Sequence, residues 1–127
     1  MADASLAIHK AVLSALSAGL SCEAYDAVPQ GAAYPYAVID SVAAGHEDPL
    51  DRSVERRVVY LSFWSRTRGQ KEVLDLMSQA DAALHRTKLP LDSGRIVSAA
   101  VTRKNTSREP DNETFMGSMS VEYLVEP

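Results

Sequence analysis

The feature that most constrains the fold is a change of hydrophobic period within residues 54–85. Apolar residues alternate around Val59, Leu61 and Phe63, which predicts a β-strand. The other face of that strand is also largely apolar, as is typical of a central strand covered on both sides. Beyond the strand, apolar residues recur at steps of three and four, which predicts an amphipathic helix. These helix residues are Val73, Leu76, Met77, Ala80, Ala83 and Leu84.

The sequence also predicts where this helix begins and ends. Thr67 and Gln70 have the spacing of a capping box, in which the hydroxyl and the amide satisfy free N–H groups. Pro90 prevents the helix from continuing, and basic side chains near the end suit the negative end of the helix dipole. Those basic residues are His85, Arg86 and Lys88.

Patterning elsewhere predicts one more helix and four more strands. The helix covers residues 3–18, with Asp3 as its N-cap and Gly19 as the residue that ends it. Its apolar face is formed by Leu6, His9, Leu13, Leu16 and Leu20, widened by Ile8, Val12 and Ala15. The additional strands are predicted over residues 20–24, 36–42, 95–104 and 114–125.

The resulting order is α-β-β-β-α-β-β, within one domain of 127 residues. Runs of strands between two helices, rather than strict alternation, indicate an α+β fold. We expect an antiparallel or mixed sheet of four to five strands with both helices on one face. Two polar stretches, residues 43–53 and 105–113, are predicted to be loops that are available for contacts.

The sequence contains no motif that indicates catalysis. Glycine-rich phosphate loops and the nucleophile elbow are absent. His46, Glu47 and Asp48 could ligate a metal, but consecutive loop residues rarely converge on one ion, so a solvated loop is preferred. Cys22 is interpreted as a small half-buried residue rather than a nucleophile. Asp40 lies in an apolar strand, where burial would raise its pKa. We prefer the interpretation that Asp40 pairs with an arginine or lies at a strand end. We expect a non-enzymatic protein without a metal or cofactor.

The sequence predicts neither a signal peptide nor a membrane span. Asp3, His9 and Lys10 interrupt the N-terminal pattern that a signal peptide requires, and no apolar window is long enough to cross a bilayer. A single cysteine excludes a disulfide within the chain, so a reducing compartment is expected.

The charges alternate in blocks along a chain whose net charge is −4. Residues 1–51 hold seven acids and one base, whereas residues 52–71 hold one acid and six bases. Residues 72–108 are basic again, and residues 109–127 hold five acids and no base. Such blocks suit self-association through complementary patches, and a net acidic domain is a poor non-specific DNA binder. Residues 52–71 have two interpretations. They form a patch that binds a partner, with an acidic protein preferred over DNA, or they are simply the charged end of a strand and the start of a helix.

Several short motifs resemble those of a known family. Residues 28–36 read VPQGAAYPY, residues 61–66 read LSFWSR, and Gly69 precedes a helix that contains the sequence EVL. In this order, after an N-terminal helix, they resemble the tail terminators of siphophage-like particles, including those of gene transfer agents. The resemblance extends from about Leu6 to Glu122.

The resemblance implies a structural virion protein with no catalytic residues. Similar proteins form a hexameric ring on the last ring of the tail tube, stop its elongation and join the tail to the head. The implied partners are the tail tube protein and the head–tail connector (neck) proteins, while DNA passes through the ring without sequence-specific binding. We expect assembly in the bacterial cytoplasm and a place in the virion, with no membrane. A neck adaptor or stopper protein of the same particle and a small-molecule-binding α+β enzyme remain as alternatives.

The candidate interface residues lie in charged segments. We expect arginines near the start of the central strand to reach an acidic patch of the adjacent subunit, and residues 45–52 and 105–113 to contact neighbouring rings. The candidate interface residues are Arg52, Arg56, Arg57, His46, Glu47, Asp48, Arg108, Glu109, Asp111 and Glu113.

Overall fold

The computed structural model describes residues 4–47 and 54–126. Its elements follow the predicted order, α-β-β-β-α-β-β. In chain order they are α1 (Ala4–Gly19), β1 (Glu23–Tyr25), β2 (Tyr36–Glu47), β3 (Val54–Ser65), α2 (Lys71–Leu84), β4 (Arg95–Arg108) and β5 (Phe115–Glu126). The α+β class and the element order are therefore confirmed.

The five strands form one mixed sheet in the order β1-β2-β3-β5-β4. β1 pairs with β2 in parallel, and every other pair is antiparallel. The predicted central strand, β3, lies in the middle of the sheet. β4 forms one edge, and at the other edge the short strand β1 pairs only with Tyr36, Ala37 and Val38 of β2.

Both helices pack on the same face of the sheet, as expected. α1 lies against β1, β2 and β3, and α2 lies against β3, β4 and β5. On that face Val59, Leu61 and Phe63 of β3 are almost fully buried. The inward residues of β5 are those predicted from its alternation, namely Phe115, Met119, Val121, Tyr123 and Val125. These residues and the apolar stripes of both helices form a single core.

The prediction that β3 is covered on both sides is wrong. On the face away from the helices, Arg56 and Tyr60 are exposed, and Val58 and Trp64 are only half-buried. The reason is size. An α-helix is about 10 Å wide, and neighbouring strands lie about 4.8 Å apart. Two helices are therefore wide enough to cover one face of a five-stranded sheet, and the described residues form no third helix to cover the other face.

Part of the stretch predicted as a loop over residues 43–53 is strand. β2 and β3 stay paired as far as Glu47 and Val54, so residues 43–47 belong to β2. Residues 48–53 lie outside the described part of the chain. Polar residues form a strand here because an antiparallel sheet with one open face tolerates them on its solvent side.

The second predicted loop, residues 105–113, is also shorter than expected. β4 and β5 stay paired as far as Arg108 and Phe115, which leaves the turn to residues 109–114. Two residues predicted to face water, Thr114 and Ser120, are instead 4% and 8% exposed. The Thr114 hydroxyl donates to Asp111, and the Ser120 hydroxyl is hydrogen-bonded to that of Thr102, which makes this burial possible.

The capping box predicted for α2 does not form. The Thr67 hydroxyl donates to Glu72 Oε1 at 2.9 Å, and the Gln70 amide oxygen accepts from the Thr106 hydroxyl of β4 at 2.6 Å. Gln70 is the N-cap, without a side-chain hydrogen bond to the helix. Partners that are distant in sequence have replaced the local ones.

Two details of α1 also differ from prediction. Leu6 is 66% exposed, whereas Ala4 and Ala7 occupy inward positions. Gly19 does not end the helix in a left-handed conformation, because it is the last helical residue and its φ is not positive. A Cβ at Gly19 would lie 3.1 Å from Ala83 Cβ, so the glycine lets α1 and α2 approach closely. The expected N-cap, Asp3, lies outside the described residues.

Gly117 of β5 lies directly beneath α2, and we expect Gly117→Ala to destabilise the fold. A Cβ there would lie 2.5 Å from Met77 Sδ and 2.6 Å from Val73 Cγ1. Met77 can rotate, but the β-branched Val73 cannot, so α2 must shift. We expect the free energy of unfolding, measured by urea denaturation, to fall by about 1–3 kcal/mol.

Gly45→Ala is the matched control for this substitution. Its Cβ would meet nothing closer than Arg56 Nε at 3.6 Å, and the position is also in a strand. Its unfolding free energy should stay within about 0.5 kcal/mol of the wild-type value. Equal losses in both variants would contradict the close packing of α2 on Gly117.

Candidate functional site

An open cleft lined by three arginines lies at one end of the sheet. It forms where β3 and β4 end and β5 begins, because Ser65 and Arg108 both pair with Phe115. Its volume is about 690 Å³. The lining residues of this arginine cleft are Arg66, Arg68, Gly69, Arg108, Asn112, Glu113 and Phe115.

Aromatic rings hold two of the three guanidinium groups. Arg66 lies 4.5 Å from the centre of the Tyr34 ring, and its Nε donates to Thr114 Oγ1 at 3.3 Å. Arg108 lies 5.3 Å from the centre of the Phe115 ring. Stacking on a ring orients a guanidinium while leaving N–H donors free for another anion.

The third arginine, Arg68, is exposed on the segment between β3 and α2. Within residues 4–47 and 54–126, neither Arg68 nor Arg108 has a carboxylate within salt-bridge distance. The positive charge of the cleft is therefore only partly offset, by Glu113 on its wall.

A tight turn over residues 109–114 forms one wall of the cleft. Asp111 Oδ1 accepts the backbone N–H groups of Thr114 at 2.8 Å and Glu113 at 2.9 Å, and Oδ2 accepts the Thr114 hydroxyl at 2.8 Å. Asn112 takes the left-handed conformation, with φ 59°, and its N–H donates to the Glu109 carbonyl at 3.0 Å. The turn is thus defined by its own side chains.

These hydrogen bonds lower the pKa of Asp111 below its ordinary value. The N–H of Thr114 contributes most, followed by the N–H of Glu113 and the Thr114 hydroxyl, and the charge of Arg66 adds to the effect. Each of these groups favours the charged carboxylate over the neutral acid. The turn is therefore held most firmly when Asp111 is ionised.

A second, shallower groove lies on the other side of Arg66. Its walls include the Tyr34 and Trp64 rings and Pro110, together with Glu109. Arg66 thus separates a basic cleft from an aromatic groove. A partner segment that carries an acidic side chain beside an apolar one would find a suitable surface for each.

The predicted interface residues of the second polar stretch lie together at this end of the sheet. Arg108 and Glu113 line the arginine cleft, whereas Glu109 and Asp111 build its turn. Arg66 and Arg68 were not among the predicted interface residues. Their signal was the run of bases in residues 52–71.

The arginines at the start of β3 lie at the opposite end of the sheet and have different surroundings. Arg56 is half-exposed on the open face, with Nη1 3.5 Å from Glu122. Arg57 is 7% exposed, and it donates to Ser5 Oγ at 2.8 Å and Glu55 Oε1 at 2.7 Å. Arg57 therefore ties α1 to the sheet, while Arg56 stays a candidate for subunit contact.

The remaining predicted interface residues cannot all be compared with the structure. His46 and Glu47 belong to β2, where they pair with Glu55 and Val54 of β3. Asp48 and Arg52 lie outside the described residues. Their role in contacts stays a prediction.

Asp40 is neither paired with an arginine nor placed at a strand end. It is the extra residue of a bulge in β2, between Ile39 and Ser41. Its Oδ1 accepts the Ser62 hydroxyl at 2.9 Å, and Trp64 Nε1 donates to the same hydroxyl at 2.9 Å. Partial desolvation raises the pKa of Asp40, and the hydrogen bond from Ser62 opposes that rise.

The described residues show no other constellation typical of a reactive site. Cys22 is half-buried, as predicted, and burial raises the pKa of its thiol, which disfavours the nucleophilic thiolate. Within residues 4–47 and 54–126, no cluster of His, Cys, Asp and Glu side chains could hold a metal ion. No helix in the described part of the chain has the length and apolar character needed to span a membrane.

We expect Asp111→Ala to lower the melting temperature at pH 7 because the turn loses its carboxylate acceptor. A lowered pKa contributes stability above the ordinary aspartate value of 3.8, and that stability is lost as the pH falls through the folded-state pKa. The difference from wild type should therefore shrink in acid. Circular dichroism melts between pH 7 and pH 3 measure both effects.

Asp92→Ala provides the control for this substitution. Asp92 is also an exposed aspartate, but its partner is a single surface lysine, Lys10, at 2.7 Å. Exposed pairs of this kind contribute little, so its melting temperature should stay close to wild type. A wild-type melting temperature for Asp111→Ala at pH 7 would show that the turn does not depend on its carboxylate.

Comparison with known proteins finds a matching family and a solved structure with the same fold. Residues 4–126 match a family model described as "Tail completion protein gp17". No protein with curated annotation matches the sequence. A chain of the solved structure "Virion of native gene transfer agent (GTA) particle" superposes with a TM-score of 0.85 at 19% sequence identity. The match covers 99% of this chain and 100% of that chain, and at this identity it shows a shared fold.

Proposed function

Because the chain belongs to the Tail completion protein gp17 family, we propose that it is a structural protein of a phage-like tail. In this role it forms a ring on the end of the tail tube, stops tube elongation and joins the tail to the neck proteins of the head. The observation that carries the proposal is the family match over residues 4–126. The fold shared with a chain of a gene transfer agent virion supports it.

The arginine cleft supports contact with a protein rather than with DNA. A duplex is bound non-specifically through about 6–10 phosphate contacts along a broad basic surface. The cleft offers three guanidinium groups in a concavity, with Glu113 in its wall and Glu109 and Asp111 in the adjoining turn. These carboxylates would repel a phosphate backbone. Acidic side chains of a neighbouring tail or neck protein fit the same donors one at a time.

The position of the cleft also suits contact along the axis of a tail. It lies at the end of the strands rather than along an edge of the sheet, although one of its lining residues, Arg108, belongs to the edge strand β4. If the ring forms through the edges of the sheet, the strand ends remain free for the ring above or below. We propose that residues 109–113 and the arginine cleft contact such a neighbouring ring.

The proposed function is tested by mixing the purified chain with tail tube protein and, separately, with neck protein. We expect negative-stain electron microscopy to show a ring at the end of each tube, and tube length to stop increasing once the chain is added. Binding to neck protein alone would make the chain an adaptor instead. A chain that remains monomeric and binds neither protein would contradict both roles.

Arg68→Glu tests the arginine cleft separately. Arg68 is exposed and has no carboxylate partner among the described residues, so the substitution should leave the melting temperature unchanged. We expect the affinity for the tail or neck partner to fall by about tenfold or more, equivalent to about 1.4 kcal/mol. Biolayer interferometry at two salt concentrations measures the affinity and its salt dependence.

Lys88→Glu makes the same change of charge outside the cleft. Lys88 is exposed, follows α2, and has no salt-bridge partner among the described residues. Its affinity for the partner should equal that of the wild-type chain. If both variants bind like wild type, the cleft is not the contact surface.

A further inference from the structure

We propose that copies of this chain join edge to edge, with β4 of one copy against the β1–β2 edge of the next. This contact rests on the ring proposed above and identifies the surfaces that would close it. The partner is a second copy of the same chain, and opposite charges on the two edges of the sheet select it.

The two edges of the sheet have opposite charges. β4 contains no acidic residue, and its bases are Arg95, Arg103, Lys104 and Arg108. β1 and β2 contain no lysine or arginine, and their acids are Glu23, Asp40 and Glu47. Because β4 is one edge and β1 with the uncovered part of β2 is the other, these charges lie at opposite sides of one subunit.

The charges also match in position along the strands. Following paired residues across the sheet, Arg103 pairs with Ser120, Ser120 with Tyr60, and Tyr60 with Ser41, the neighbour of Asp40. When the register is traced across the sheet in this way, three bases on β4 each lie within one residue of the position of an acid on the opposite edge. Arg108 corresponds to Glu23, Arg103 to Asp40, and Arg95 to Glu47.

Four of these charged side chains have no ionic partner in the described part of their own subunit. Glu23, Asp40, Arg103 and Arg108 are exposed, and none takes part in a salt bridge within residues 4–47 and 54–126. The other charged side chains described on the strands are paired. Arg95 contacts Glu126 at 3.0 Å, and Lys104 contacts Asp81 of α2 at 2.9 Å. Among the strand residues whose side chains are described, the charges without a salt bridge therefore lie on the two edges.

Strand direction allows the contact without turning the second copy over. β1, β2 and β5 run in one direction, while β3 and β4 run in the other. A second copy in the same orientation places β4 beside strands that run opposite to it, so any pairing is antiparallel. Such a contact joins two different surfaces, and contacts of this kind generate a ring when the rotation between copies closes.

Bulges restrict the contact to side chains over most of its length. β4 has bulges between Ile96 and Ser98 and between Val101 and Arg103, and β2 has one at Asp40. Bulges interrupt the row of backbone donors and acceptors and protect an edge against indiscriminate pairing. Ion pairs across the junction therefore provide the selectivity. Beyond β1 the two strands lie about 10 Å apart, two strand spacings, which an arginine and a carboxylate side chain can span together.

A charge swap tests the contact. Arg108→Glu and Glu23→Arg each place like charges across the junction, so we expect the ring species to be lost in sedimentation velocity. The double variant restores opposite charges in reversed order, and its rings should return. Lys88→Glu changes the charge equally, away from both edges, and should retain the ring. All samples are measured alone and with tail tube protein, after a circular dichroism melt confirms folding.

Cysteine cross-linking tests the same geometry without relying on charge. Cys22→Ser removes the native thiol, and Glu23→Cys with Arg108→Cys adds one thiol to each edge. Oxidation should give a ladder of covalent multimers that a reductant collapses, because each copy joins one neighbour on either side. A contact with twofold symmetry would stop at dimers.

The possible results separate the edge contact from the proposed function. Rings that persist in both single charge variants, a double variant that does not recover, or wild-type rings without a ladder would overturn the edge contact. Arg103→Glu provides a second variant if Arg108→Glu does not fold. A wild-type chain that remains monomeric even with tail tube protein would contradict the tail role itself, and with it the ring.

Discussion

Two helices can cover one face of a five-stranded sheet but not both, and the rest of this structure depends on that limit. The inward side chains of β3 and β5 meet α1 and α2, and the closeness of the layers requires glycine at position 117. No helix within residues 4–47 and 54–126 lies on the other face. The open face is therefore available for association, together with the two edges and the strand ends.

The fold could be predicted where regular patterns extend over a whole element. The five inward residues of β5 and the buried stripe of α2 follow from periodicity alone, because burial of one face is what produces that pattern. Details that depend on contacts between residues far apart in sequence could not be predicted. Gln70 does not complete a local cap because Thr106 of β4 donates to its side chain. Leu6 faces outward, whereas the inward side of α1 begins at Ala4 and continues through Ile8.

The arginine cleft could not be predicted from the sequence because its residues meet only through sheet pairing. Arg66 and Arg108 come together since β3 and β4 both pair with β5 at the same end. The run of bases in residues 52–71 was evident, but β3 carries Arg56 and Arg66 to opposite ends of the sheet. Arg57, a neighbour of Arg56 in sequence, lies on the other face and is held by Ser5 of α1.

The sheet order converts charge blocks of the sequence into opposite sides of the molecule. The acids on β1 and β2 belong to the acidic block of residues 1–51, and the bases on β4 belong to the basic block of residues 72–108, so an acidic chain still presents a basic edge. Arg108 belongs both to that edge and to the arginine cleft. If Glu23 of a neighbouring copy engages Arg108, Arg66 and Arg68 remain as the unneutralised donors of the cleft. Ring closure would thus determine the charge of the arginine cleft that the next protein in the tail contacts. Arg108 would couple the contact between copies to the contact at the cleft.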